Sequence, residues 1–336
     1  MKSLISEVIN KECKLTESEL TESELTEQQF QEREILTQKS FDREVIINNF
    51  INFLDVSANT ANAYRKALKQ LFNYFYNYGV VNPHRDNILA FKKELESKGR
   101  KPSTIALYLA AARRFFSWTE QSGIYPNITV GVKAPKIEQG YKKDYFAADQ
   151  IKSVLSNIDR SDIEGLRNYA IMALMTTGGL RTVEITRASI EDLRVVGGVS
   201  VLYIQGKGRN DKTEFIKLTA KVEEAIRAYL KARGEVEMQA PLFSSVSRRN
   251  KGARLTTRTI RGLCKNAMKQ AGFNSNRLTA HSLRHTAVTL ALLAGQDLAE
   301  VQHFARHHNI STTQIYAHNI DRMKSQCEAA ISNAIF

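Results

Sequence analysis

From residue 42 to 124 apolar side chains recur every three or four positions, the spacing of one face of an α-helix. The stretch from Ser57 to Tyr78 places Tyr64, Leu68, Leu71 and Phe75 on one side and ends at Gly79. The stretch from Arg85 to Ser97 repeats Ile88, Phe91 and Leu95 before Lys98-Gly99. Pro102-Ser103 opens a further helix, with Ser103 as its predicted N-cap and Ile105, Leu109, Ala112 and Phe116 as its stripe. Together these predict a compact bundle of four or five helices. Residues 148–158 and 163–176 also read as helices. The period then changes to two across LRVVGGVSVLYIQGKGRNDKTEFIKL, with turns at Gly197-Gly198 and Gly206-Gly208. That alternation predicts a three-stranded antiparallel sheet. From Ala220 onward the pattern is helical again. After Tyr316, the residues Ile320, Met323, Cys327, Ile331 and Ile335 fall on one helical stripe. The expected fold is mainly α with a small antiparallel β-sheet. Its predicted divisions are an extension over 1–41, a helical domain over 42–124, a linker over 125–145 carrying Lys133, Lys136, Lys142 and Lys143, and an α+β domain over 146–336.

Charge sharpens this division. The first 44 residues hold 6 Lys+Arg against 11 Asp+Glu, a net of −5, and include the repeat LTESELTESELTEQQF. Its leucine spacing of five fits neither a heptad nor a strand, so the extension reads as an acidic, flexible tail. Residues 45–336 then carry 42 basic and 24 acidic side chains, a net of +18. A body that basic favours a polyanionic partner through phosphate contacts and counterion release. With 43% hydrophobic residues the chain can build cores, which excludes wholesale disorder. No apolar run approaches the ~20 residues of a membrane helix, and the start lacks a secretory hydrophobic segment. A cytoplasmic protein with no membrane contact is expected. Cys13, Cys264 and Cys327 are too few and too scattered for a disulfide framework and read as reduced packing or surface residues.

Four stretches of the second domain carry candidate chemistry. In TGGLRTVEI a glycine pair breaks one helix and leaves Arg181 at the start of the next, among free backbone N–H groups. Such an arginine suits bidentate phosphate binding, or is simply a surface residue of an interhelix turn. Lys207 and Arg209 sit at a glycine-bearing hairpin tip that could approach a backbone closely. In HSLRH, His281 and Arg284 are one helical turn apart, joining an imidazole that can move a proton to a cation that can hold an oxyanion. The fourth stretch is ARHHNISTTQIYAH, with His307 and Tyr316. All seven histidines except His84 lie between 281 and 318, a clustering that raises the possibility of a metal site. His303 and His307 could share an ion, but no HExxH glutamate or acidic cluster completes a ligand set. No metal and no cofactor is expected.

The order and spacing of TGGLRTVEI, GKGRNDK, HSLRHTAVTLALLAG and ARHHNISTTQIYAH resemble the tyrosine recombinase (phage integrase, Xer-type) family. The resemblance runs from about residue 43 to 325 and includes SANTANAYRKALKQLFNYF, similar to the family's core-binding domain. It implies a helical, SAM-like core-binding domain and a catalytic domain that close as a C-shaped clamp on duplex DNA. It implies Tyr316 as the nucleophile that forms a 3′-phosphotyrosine, and Arg181 and Arg284 as the pair that neutralises the phosphate. By the same resemblance Lys207 protonates the departing 5′ oxygen, His281 takes up the tyrosine proton, and His307 hydrogen-bonds the phosphate. Glu184 matches an acidic position that orients its neighbours.

The chemistry needs these types of group. A phenol of pKa about 10 requires a base near neutral pH. An anionic phosphodiester repels a nucleophile until cations neutralise it, and an alkoxide leaves poorly unless protonated. The bond energy stays in the phosphotyrosine, so rejoining needs no ATP. Arg100, Lys101, Arg113, Arg114, Lys142, Lys143 and Arg209 are the expected DNA-backbone contacts. A homotetramer on two recombination sites, joined through the C-terminal helix, is the implied assembly. The expected role is integration or excision of a mobile element, with Xer-type dimer resolution as the alternative. A type IB topoisomerase or an inactive DNA-binding protein on the same fold comes after these. One stretch departs from the family: Ala305-Arg306 stands where the family has Leu-Gly before the second histidine. The change bears on the turn geometry there, or adds a DNA contact.

Overall fold

The computed structural model describes residues 43–80, 82–137, 144–206 and 211–336. The acidic repeat, Lys142, Lys143, Lys207 and Arg209 lie outside these residues. The chain divides into two compact units between Gln139 and Gly140.

The first unit contains helices α1 (43–53), α2 (Ala58–Asn77), α3 (Arg85–Ser97) and α4 (Pro102–Gln121). Ser57 caps α2, its hydroxyl accepting the Thr60 N–H. Ser103 does not cap α4. Pro102 takes the first helical position, where its missing N–H costs nothing, and Lys101, with extended backbone, becomes the N-cap residue. Leu68, Leu71, Phe75, Ile88, Phe91, Leu95, Ile105, Leu109 and Phe116 all enter one core. Phe115 is its hub, edge-to-face with Phe50 at 5.4 Å and with Phe72 at 5.5 Å, contacts worth about 1 kcal/mol each beyond their buried area. Arg113 Nη2 donates to the Val132 carbonyl at 2.8 Å, and Arg85 Nε to that of Val130 at 3.2 Å, fastening the segment after α4 onto the bundle. Arg100, Lys101 and Arg114 are exposed.

The second unit is built around α6 (Ile163–Gly178), which follows α5 (Ala148–Ser156). Residues 170–175 of α6 are all buried, as befits a helix covered on every side. A short α7 (Thr182–Arg187) leads to strands β1 (Leu193–Val196), β2 (Val199–Ile204) and β3 (Glu214–Lys217). They form the antiparallel sheet that the sequence pattern predicts, in order β1-β2-β3, with Leu202 opposite both Leu193 and Ile216. Helices α8 (Ala220–Arg233), α9 (Thr257–Gln270), α10 (Ala280–Leu293), α11 (Leu298–Ala305), α12 (Ile310–Lys324) and α13 (Cys327–Ile335) complete the unit.

The stripe expected after Tyr316 is not carried by one helix. Ser325 takes an extended conformation (φ −60°, ψ 134°) and its Oγ accepts the Cys327 N–H at 3.3 Å, so the serine ends α12 and starts α13. Ile320 packs into its own unit, whereas Ile331 and Ile335 are exposed; the Met323 side chain lies outside the described set. Cys264 is fully buried, which pushes its thiol up to about 12 and leaves it inert, and Cys327 is an exposed free thiol. Among the described residues no helix is long and apolar enough to cross a membrane.

Candidate active site

The site begins where α6 stops. Gly179 caps that helix in the left-handed region (φ 58°), which glycine enters without steric cost. A Cβ on Gly178 would lie 2.6 Å from Ile216 Cδ1, and one on Gly179 would press on the Phe304 ring at 3.1 Å. The pair therefore permits both the turn and the close packing of β3 and α11 on it. The chain re-enters a helix with Arg181 as N-cap residue. Glu184, wholly buried, accepts the Arg181 N–H on Oε2 and the Arg181 Nη1 on Oε1, each at 2.8 Å. This capping arrangement aims the guanidinium as well as satisfying a helix end.

Helix α10 brings His281, Arg284 and His285. Arg284 is 1% exposed. Its Nη1 donates to the Gly179 carbonyl at 2.5 Å and its Nη2 to that of Ala305. Burial, then the Arg181 and Arg306 cations, push its pKa from 12.5 down to about 9, which still leaves it charged at neutral pH. After α11, Arg306 takes the left-handed conformation (φ 53°, ψ 46°), and it is the only non-glycine residue with positive φ among those described. Its side chain is 8% exposed and points inward, Nη2 donating to the Gly179 carbonyl at 3.0 Å and to Glu184 Oε2 at 3.3 Å. Arg181 Nη2 in turn donates to the Arg306 carbonyl at 3.1 Å. Three guanidiniums thus gather about one buried carboxylate.

Tyr316, on α12, is 5% exposed. Its hydroxyl shares a hydrogen bond with His285 Nδ1, and the ring lies between His285 (centroids 5.2 Å apart) and His307 (6.0 Å, stacked). His281 meets the His285 ring edge-on at 4.5 Å. His307 shares a 2.9 Å hydrogen bond through Nδ1 with Thr313, a fully buried residue. Burial first, and then Arg284, Arg181, Arg306 and His281, lower its pKa to about 4.

The unfolded imidazole takes its proton near 6.5. Acid between pH 6.5 and 4 therefore favours the unfolded chain, and above 6.5 the group has no effect. In the free protein the His307 ring should titrate near 4 by NMR, assigned through the signal lost in His307→Asn. Its midpoint should rise when a phosphodiester opposes the three guanidiniums. A free-protein midpoint at 6.5 or above would contradict the burial and the cationic field.

Of the residues singled out from sequence, Arg181, Glu184, His281, Arg284, His307 and Tyr316 belong to this one cluster. Lys207 and Arg209 fall outside the described residues; on either side of them Arg187 Nη1 holds the Gly206 carbonyl at 3.0 Å, and Lys212 pairs with the buried Asp192 at 2.6 Å. The sequence reading missed His285, Thr313 and the inward course of Arg306. His285 was findable, because it stands four residues after His281 on one helical face. Among the described residues no group of three or more His, Cys, Asp or Glu side chains is placed to hold a metal ion.

Residues 144–323 match the phage integrase family, and residues 47–123 match the N-terminal SAM-like domain of phage integrases. The chain belongs to the phage integrase family. Among curated relatives of this family member, a tyrosine recombinase XerD from Listeria monocytogenes is 31% identical over 288 residues, covering 81% of this chain and 93% of the relative. A tyrosine recombinase XerC from Thermodesulfovibrio yellowstonii is 29% identical over 81% of this chain and 91% of its own. The integrase fold is shared with solved structures. The XerH recombinase in a post-cleavage complex with its palindromic difH substrate aligns at TM-score 0.70 and 21% identity, covering 99% of this chain and 96% of that one. The Tn1549 transposon integrase with transposon right-end DNA aligns at 0.64 and 17% identity, covering 84% and 99%. The resemblance read from the four motifs is thereby borne out.

Proposed function

We propose that Tyr316 is the nucleophile with which this integrase-family enzyme opens a DNA phosphodiester. The chain is a site-specific tyrosine recombinase, an enzyme that breaks and rejoins DNA through a tyrosine. One observation carries the residue assignment: a buried phenol, hydrogen-bonded to an imidazole, lies in a cluster of three guanidiniums served by one buried carboxylate. Uncompensated buried cations are costly in a resting protein and suit a site that receives an anion.

In the proposed reaction His285 Nδ1 accepts the phenolic proton as Oη attacks phosphorus. The P–O5′ bond breaks, the oxygen leaves as a 5′-hydroxyl protonated by Lys207, and a 3′-phosphotyrosine remains. Arg181 and Arg284 neutralise the non-bridging oxygens. His307, neutral at pH 7, donates a hydrogen bond without adding charge, and His281 supports His285. Attack by a 5′-hydroxyl on the phosphotyrosine reverses each step, so rejoining consumes no nucleotide. Double-stranded recombination sites are the proposed partner, with Arg100, Lys101 and Arg114, and Lys142, Lys143 and Arg209, tracking the flanking backbone; Arg113 is already engaged by the Val132 carbonyl. Incubation with a duplex nicked just 3′ to the scissile phosphate, which lets the short 5′-hydroxyl fragment diffuse away, should trap a covalent adduct in EDTA. Free cleaved ends with no adduct would sink this reading.

Assembly follows from the C-terminal helix. None of the residues of α13 is buried, and Ile331 and Ile335 are 59% and 67% exposed. The same unit presents a cavity of about 720 Å³ lined by Ile151, Leu155, Leu290, Ala291 and Phe304, with Lys152 and Arg160 beside them. We place the α13 of a second copy there, its Glu328 towards the lysine and arginine. Deleting residues 327–336 should leave half-site binding intact but abolish cooperative occupancy of two half-sites in a mobility-shift titration. Unchanged cooperativity would exclude this joint. The role is integration or excision of a mobile element; the Xer names of the curated relatives favour a second reading, an Xer-type recombinase. Mapping cleaved sites in the host genome, at element ends or at a fixed chromosomal site, separates the two.

A further inference from the structure

We infer that Arg306 is a positioning residue that sets the two phosphate-binding arginines, not a DNA contact. The inference rests on reading the cluster as a phosphodiester-cleaving site. Arg306 occupies a conformation that costs a side-chain-bearing residue strain, and its buried Nε has no hydrogen-bond partner among the described residues. A residue held at both costs must be over-determined by its surroundings, a pattern found at functional sites. The surroundings are specific. The Arg306 guanidinium spans two elements, donating to Phe304 O at 2.7 Å within its own turn and to Gly179 O at 3.0 Å across the site. The Gly179 carbonyl is also an acceptor for Arg284, and Glu184, the other partner of Arg306, is the carboxylate that aims Arg181. The Arg306 carbonyl holds Arg181 directly, and that of Ala305 holds Arg284. One side chain therefore fixes the distance between the α6–α7 turn, which aims Arg181, and the α11–α12 turn, whose carbonyls hold both arginines.

Glycine fits the left-handed turn better than arginine, so Arg306→Gly keeps the backbone path while removing the tie. Arg306→Lys keeps a charge but cannot span Gly179 and Glu184 together. The test compares single-turnover cleavage of a nicked duplex with that of the same duplex carrying a methylphosphonate at the scissile position. The methyl group removes the charge that correctly placed arginines neutralise. The wild-type adduct on the phosphate duplex, measured alongside, tests the reading of the site; the ratio of variant to wild type tests Arg306. On phosphate, Arg306→Gly should cleave about 100-fold slower with unchanged duplex affinity. On methylphosphonate that deficit should shrink to about tenfold or less, and Arg306→Lys should follow the same pattern more weakly. A variant that cleaves phosphate at the wild-type rate would overturn the inference. So would one that loses affinity while cleaving normally once bound, or one equally impaired on both substrates.

Discussion

Tyr316→Phe is expected to abolish covalent capture of a nicked duplex while leaving duplex binding intact. The substitution deletes one oxygen. It removes the hydrogen bond with His285, worth about 1 kcal/mol net, against a domain stability of roughly 5–15 kcal/mol. The phenyl ring still packs between His285 and His307. The fold therefore survives and the nucleophile does not. His285→Asn separates the two partners of that hydrogen bond. It leaves the phenol in place and removes the imidazole that accepts its proton, so adduct formation should slow by about 10²–10⁴-fold, the range of a general base, without vanishing. An adduct that persists undiminished in Tyr316→Phe would move the nucleophile elsewhere.

Arg284→Met should produce opposite signs in two measurements. Cleavage should fall by about 10²–10³-fold, because a preorganised donor to the charged oxygens is gone. Thermal stability should hold or rise. Depression of the guanidinium from 12.5 to about 9 is a penalty on the order of 4–5 kcal/mol on its charged form. Against that, the Ala305 carbonyl loses its donor, about 1–3 kcal/mol. Gly179 keeps Arg306 and Glu184 keeps Arg181 and Arg306, so neither is orphaned. Removing the cation relieves more than it breaks, as at other sites where stability is given up for activity. A lower Tm together with normal cleavage would show that Arg284 serves the core and not the phosphate.

Much of this was legible in the residues. Periodicity located the helix cores because Leu68, Leu71, Phe75 and Ile88 answer to one local rule, burial of a stripe. The sheet was legible because its alternation and its glycine turns agree. Arg181 could be placed at a helix start because the glycine pair before it can only end a helix. What escaped were choices made by distant partners. Arg113 reads as one more surface cation, yet Val132, nineteen residues on, takes its hydrogen bond. From sequence Arg306 reads either as a change in the turn or as a DNA contact, yet Glu184 and Gly179, more than a hundred residues earlier, draw it inward. His285 follows a motif arginine and carries no distinct local signal of its role, which comes from α12 setting Tyr316 against it. The stripe over 320–335 looked continuous because pattern alone does not register a serine turning its hydroxyl to the next helix.

The central claim is a bond between Tyr316 and the 3′ side of a cleaved DNA strand. Protease digestion of the trapped adduct, followed by mass spectrometry of the peptide that retains nucleotide, locates that bond directly. The account predicts a single modified peptide, with the nucleotide's 3′-phosphate on Tyr316 and a free 5′-hydroxyl on the released strand. Modification of any other residue, or a 5′-phosphate on the released strand, would contradict it.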